Sequence, residues 1–142
     1  MKHQIVSLML NKFFVKYRVY YEDTDAGGIV YHANYLRFCE RARTEFLRHL
    51  NLAQSDLVQK EKIIFVVRRC EIDYLSPAKL DDLIDVSAEV TKTSATSLIM
   101  HQEIKKDDKI LAAMEVVIVC IDSESFRPKK IPQNIKNLFD VR

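Results

Sequence analysis

Glycine is almost missing from this chain. Only Gly27 and Gly28 occur in 142 residues, where ~7% usage would supply about ten. Cysteine is equally sparse. Cys39, Cys70 and Cys120 are odd in number, far apart and without a C-x-x-C spacing, which argues against a disulfide framework or a zinc site and for a reducing cytosolic setting. Each lies in an apolar-periodic stretch, so all three are expected to be buried and structural. Charge of one sign is also lacking. The 22 basic and 20 acidic residues leave a net charge of +2, without the basic stripe of a nucleic-acid binder. No apolar run approaches the ~18 residues that span a bilayer. The apolar run Ile5–Leu10 is too short for a signal-peptide core and no small-residue cleavage site follows it. There is no internal repeat, low-complexity tract or linker, so the length fits one domain with its own core.

What is present is ordered by period. Residues 1–12 read as an N-terminal extension leading into a strand. From Phe13 the residues alternate, with Val15, Tyr17, Val19 and Tyr21 on one face and Lys16, Arg18 and Glu22 on the other, which predicts a half-buried strand. The period then becomes helical from Asn34, a candidate N-cap, to about His49, with a broad apolar stripe through Tyr35, Phe38, Cys39, Ala42 and Phe46. A polar helix or loop follows over residues 52–62. Four strands come next: Ile63–Tyr74, Leu83–Thr91, Thr96–Lys105 and Ile110–Ile121, the last two forming a hairpin turned at Lys106-Asp107-Asp108. The final strand is apolar on both faces, which predicts a central position and cover from another subunit. Pro128 and Pro132 lead into a short amphipathic end. This order predicts an α+β architecture, an antiparallel sheet of five or six strands wrapped around one long central helix.

The chemistry concentrates in "YYEDTDAGGIVYHANY", residues 20–35. Glu22, Asp23 and Asp25 crowd carboxylates at a strand end, Gly27 and Gly28 permit positive φ and close ligand approach, and a helix starts just beyond. The unpaired N–H groups of that start point at the loop and favour an anion or a developing oxyanion. The same residues also read as a polar turn, with His32 bonding the backbone at the helix start and the tyrosines packing. Asp23-Thr24-Asp25 matches a short D-x-D metal pattern, but no nucleotide-binding framework accompanies it, and no metal site is expected.

The stretch "VYYEDTDAGGIVYHANYLRFCERARTEFLRHL" resembles the signature of the hotdog-fold thioesterases of the 4-hydroxybenzoyl-CoA thioesterase family. It is most similar to the YbgC-type acyl-CoA thioesterases that accompany the bacterial Tol–Pal envelope system. The resemblance continues more weakly through "FVVRRCEIDYLSPAKLDD", "TSATSL" and "AAMEVVIVCID". It implies a single hotdog domain over residues 13–142 that hydrolyses short aliphatic or aromatic acyl-CoA, and no cofactor, because coenzyme A is part of the substrate. It implies Asp25 as nucleophile or general base, His32 as the position whose backbone N–H polarises the carbonyl and whose side chain also serves, Tyr21 as a further active-site group, and Gly27 and Gly28 as the active-site loop. It also implies a homodimer, paired into a tetramer, with active sites at the subunit boundary. Acyl carrier protein is a further partner under this resemblance, and a cytoplasmic protein with contact at the inner membrane is its expected location. No residue is assigned to the coenzyme A phosphates. Arg68, out of place among Val66, Cys70 and Ile72, reads either as such a contact or as a bulge or edge arginine reaching solvent. A non-catalytic acyl-CoA or acyl-carrier-protein scaffold is the alternative, and a hotdog dehydratase would need a different motif.

Overall fold

The structure is a computed structural model that describes residues 6–9 and 12–139. Its elements are β1 (Val6–Met9), β2 (Lys12–Arg18), a 3-10 turn (Tyr21–Asp23), α1 (His32–His49), α2 (Gln54–Asp56) running into a π turn (Leu57–Glu61), β3 (Ile63–Tyr74), β4 (Leu83–Thr93), β5 (Ser97–Lys106), β6 (Lys109–Asp122) and α3 (Gln133–Lys136), followed by a 3-10 turn (Asn137–Phe139). The six strands form one antiparallel sheet in the order β1-β2-β4-β5-β6-β3. Most of the expected N-terminal extension lies outside the described residues, and its described part is the edge strand β1. Among the described residues no helix is long and apolar enough to cross a membrane.

Alternation and helical period meet in one core. Ile84, Val86 and Ala88 on β4 and Leu98, Met100 and Ile104 on β5 are buried every second residue, as a pleated strand requires. They face Tyr35, Phe38, Cys39 and Ala42, the buried stripe of α1, whose spacing places them on one side of the helix. The fully buried Gln102 ties helix to sheet, its Nε2 donating to the carbonyls of Cys39 (2.9 Å) and Ser87 (3.1 Å) and its Oε1 accepting from Arg43 (3.0 Å).

Scarce glycine is offset by aspartate and asparagine. Asn51, Asp81, Asp107 and Asp108 all take positive φ, a conformation their short polar side chains tolerate. Asp107 and Asp108 make the β5–β6 hairpin with φ of 49° and 68°, the two-positive pattern of a tight turn matched to strand twist.

Three expectations need correction. The first strand ends at Arg18, because the Tyr20 N–H is taken by Asp23 Oδ2 (2.8 Å) and the chain turns there. Tyr21 therefore leaves the core face and is 83% exposed. The helix starts early, with Tyr31 rather than Asn34 at the N-cap position, three residues before the expected one. Asn34 is instead a buried residue of the first turn, its Nδ2 donating to the Asp23 carbonyl and its Oδ1 accepting from Arg37, both at 2.8 Å. Cys39 and Cys120 are buried, but Cys70 is exposed on β3. The cause is topological: β3 is a sheet edge, so its apolar pattern does not bury it within one protomer. Arg68 is the extra residue at a register break between Val67 and Arg69, the bulge reading of its misplaced charge. On β6 the outward Val117, Val119 and Ile121 are already buried within this chain, and among the described residues β3 is an edge left open.

Candidate active site

Asp25 sits on a five-residue loop closed by the chain itself. Thr24 bridges Val30, the Asp25 N–H donates to Ile29 O (2.9 Å), and the Gly28 N–H donates back to Asp25 O (3.0 Å). The Asp25 carboxylate accepts the Gly27 N–H at 2.9 Å through Oδ1. The two glycines serve different ends. A Cβ at Gly27 would stand 3.3 Å from that carboxylate oxygen, whereas Gly28 has open space around it but a φ of +79°. Gly28→Ala is accordingly expected to cost about 1–2 kcal/mol through backbone strain alone, read as a fall of about 3–6 °C in Tm. An unchanged melting temperature would remove strain as the reason for glycine there.

The loop is docked onto residues 78–80. Ile29 bridges Lys79, and the Val30 N–H donates to Ala78 O (2.9 Å). The buried Tyr35 hydroxyl on α1 accepts the Ala78 N–H (2.9 Å), so the helix and the docked segment hold each other in place.

The helix start is held beside this loop by one carbonyl. Asp23 O accepts both the Tyr31 N–H (3.0 Å) and Asn34 Nδ2 (2.8 Å), while the Asp23 carboxylate caps Tyr20. Tyr31 supplies no side-chain cap and the first turn carries no acidic residue. Among the described residues nothing accepts the N–H groups of His32 and Ala33. Two backbone donors and the positive end of an 18-residue helix are thus left free at the loop. The His32 carbonyl is held from the other side by Tyr74 Oη at 2.9 Å, and the Tyr74 ring packs edge-on to Tyr35 at 5.2 Å. Partial desolvation, with the neighbouring Cys70 and Tyr35, raises the pKa of Tyr74, which keeps its hydroxyl a donor.

The structure therefore carries Asp25, Gly27 and Gly28 on one closed loop that leads through Val30 and Tyr31 into the helix start at His32. The His32 ring packs against Tyr31 at 4.6 Å, and its side chain makes no hydrogen bond among the described residues. Tyr21 contributes its carbonyl to Thr24, accepting the N–H (3.1 Å) and Oγ1 (2.8 Å), while its hydroxyl does not bond the Asp25 carboxylate. Sequence reasoning missed Tyr74 and gave Asp23 and Asn34 other roles, a crowded carboxylate and an N-cap. Asp23 carries a readable signal, an aspartate three residues after a turn start. Tyr74 carries none, since its contact is 42 residues away. A buried cysteine nucleophile is excluded chemically: burial pushes the Cys39 thiol up to about 12 and Cys120 up to about 11, so neither is a thiolate at neutral pH.

The family model described as the thioesterase-like superfamily matches residues 19–139. The acyl-CoA thioester hydrolase YbgC of Escherichia coli O6:H1 is 46% identical over 119 residues, covering 83% of this chain and 88% of that protein. The acyl-CoA thioesterase YbgC of Helicobacter pylori strain 26695 is 34% identical over 134 residues, covering 87% and 97%. Among solved structures, Slr0204, a 1,4-dihydroxy-2-naphthoyl-CoA thioesterase from Synechocystis, superposes with a TM-score of 0.82 at 25% identity, over 90% of this chain and 95% of that one. The shared helix-in-sheet architecture and these relatives together place the chain in the hotdog-fold thioesterase-like superfamily, within its YbgC family of acyl-CoA thioesterases.

Proposed function

We propose that this protein hydrolyses acyl-CoA to the free acid and coenzyme A, with short aliphatic or aromatic acyl groups as its substrates. The observation that carries the reading is the Asp25 loop, closed between Thr24 and Val30 with its carboxylate held by the Gly27 N–H, running through Tyr31 into a helix start whose first N–H groups are free. A thioester needs little more. Its thiolate leaves with a pKa of about 8.5, so no strong general acid is required. The His32 and Ala33 N–H groups receive the carbonyl oxygen as it gains charge, a role in which one donor is worth roughly 3–4 kcal/mol. Asp25 either attacks the carbonyl carbon, giving a mixed anhydride that water then opens, or takes a proton from the attacking water. In both routes the acyl carbon–sulfur bond breaks and the thiolate leaves as coenzyme A. The His32 ring, on the solvent side, orients water or meets the departing thiolate. Tyr21, with its hydroxyl free, lies at the mouth of the site rather than against Asp25.

Free-thiol release from a panel of acyl-CoA and acyl-carrier-protein substrates tests the reading. Release from none of them would leave the scaffold alternative standing. A single turnover in isotopically labelled water tests the anhydride route: unlabelled oxygen in the first product marks an anhydride opened at the Asp25 carbonyl, and immediate label excludes that opening.

The working unit in this reading is a homodimer paired through β3, with a dimer of dimers as the larger assembly. β3 supports the pairing because it is a 12-residue edge carrying exposed Val66, Val67 and Tyr74, a surface that soluble proteins rarely leave open. Val67→Lys sets like charges near the two-fold centre. It is expected to yield monomers in analytical ultracentrifugation and to lower turnover at least about tenfold. A variant that sediments like the parent protein would remove β3 as the interface. The setting is cytoplasmic in this reading, in keeping with three free cysteines.

A further inference from the structure

A pocket of about 490 Å³ opens between the end of β2 and the middle of α1, within the size range of small-molecule sites. Its apolar walls are Tyr17 on β2, Phe38 on α1 and Leu83 at the start of β4. The Tyr17 and Phe38 rings meet with centroids 5.9 Å apart. Neither Asp25 nor His32 is among the residues that line it.

Two polar groups in this lining are unsatisfied. Tyr17 is only 8% exposed, yet its hydroxyl meets no hydrogen-bond partner among the described residues. A buried donor without an acceptor is rare in a folded protein and asks for an explanation. Burial, with Glu45 nearby, pushes the Tyr17 pKa up to about 12, so the hydroxyl keeps its proton at neutral pH. Arg41 lies over the Phe38 ring, 5.6 Å from its centroid, and makes no hydrogen bond or salt bridge among the described residues. The other charges are mostly engaged. Lys16 pairs with Asp85 at 2.6 Å, Arg18 donates to Asp81 O at 2.8 Å, and the Asp23 carboxylate holds the Tyr20 N–H at 2.8 Å. Glu22 is exposed, and the cations of the lining outnumber its carboxylates.

We propose that this pocket is a second ligand site, for a carboxylate anion with a compact aromatic body. The carboxylate accepts from the Tyr17 hydroxyl and pairs with the Arg41 guanidinium, while the body packs on Phe38 and Leu83. Both bonds are charge-assisted, about twice as strong as neutral ones. An amide oxygen could still accept from Tyr17 but brings no charge for Arg41. An ammonium group leaves Tyr17 unpaired and meets like charge. Asp23 lines the pocket, and its carbonyl holds the helix start, so the bound anion lies against the turn that leads into the Asp25 loop. The site does not depend on thioester cleavage, and its test reads binding alone.

Fluorine NMR follows para-fluorobenzoate against the full-length protein, beside para-fluorobenzamide and para-fluorobenzylamine. The anion is expected to bind with a Kd of about 1 mM, in keeping with so small a ligand. It should bind at least about tenfold more tightly than either other compound. Tyr17→Phe removes the hydroxyl and Arg41→Gln removes the charge, and each is expected to weaken the anion at least about fivefold. Tyr17→Phe should melt no lower than the parent protein, because it loses only an unpartnered group. A lower melting temperature would show that the fold itself uses the hydroxyl and would overturn its role. Asp25→Asn is expected to leave the Kd within about twofold. A Kd that responds to Asp25→Asn and to neither pocket variant would put the anion at the Asp25 loop and sink the proposal. Equal binding of the three compounds, or no binding of the anion up to about 20 mM, would do the same.

Discussion

Replacing Asp25 with asparagine is expected to lower kcat/KM for acyl-CoA at least about 10³-fold, whether the carboxylate acts as general base or as nucleophile. The fold should survive. Asparagine keeps an Oδ1 that accepts the Gly27 N–H, and the side chain is exposed. Tm is therefore expected to stay within about 1 °C, since surface substitutions away from special backbone features usually change stability by no more than ±0.5 kcal/mol. Gly27→Ala is the graded control. A Cβ there presses on the carboxylate at 3.3 Å without forcing a positive φ, so a smaller loss of about tenfold is expected at nearly unchanged stability. Near-parental turnover by Asp25→Asn, with several acyl-CoA substrates, would refute the assigned role. Turnover lost together with the melting transition would mean a structural role instead.

Gln102→Leu is expected to be the most destabilising single change outside the loop, at about 3–5 kcal/mol, or roughly 10–15 °C in Tm. Gln102 is fully buried and satisfies three groups on two elements: Arg43 and Cys39 O on α1, and Ser87 O on β4. Leucine leaves the Arg43 guanidinium without its acceptor. Burial already disfavours that charge, lowering the Arg43 pKa against the opposing pull of Glu40 one turn away. The double variant with Arg43→Met removes both halves of the pair and should recover most of the loss. A double-mutant cycle measures this as a coupling energy of about 1–3 kcal/mol. Additive losses would show that the Arg43 bond is not the source of the cost, leaving the Cys39 and Ser87 carbonyl bonds and packing.

Much of this architecture is local and therefore legible along the chain. The 3.6-residue stripe of α1 and the alternation of β4 and β5 report directly on which side of each element faces the core. The Asp107-Asp108 hairpin was legible for the same reason, because its turn chemistry lies in two adjacent residues. The first strand was read too long because an aspartate side chain competed with the sheet for the Tyr20 N–H, and alternation does not register such competition. Cys70 was misread because an apolar pattern states that a strand wants cover without stating whether its own chain supplies it.

The sequence by itself determined the elements, their order, and the loop in which a carboxylate, two glycines and a helix start come together. Those depend on contacts within a few residues. Only the tertiary structure decided that Asp23 O binds the helix start to the turn, that Tyr74 reaches His32 from 42 residues away, and that β3 lies at the sheet edge. It also separated Gly27, kept small by a carboxylate, from Gly28, required by a positive φ. These are matters of which distant groups meet, and no periodicity encodes the partner across a fold.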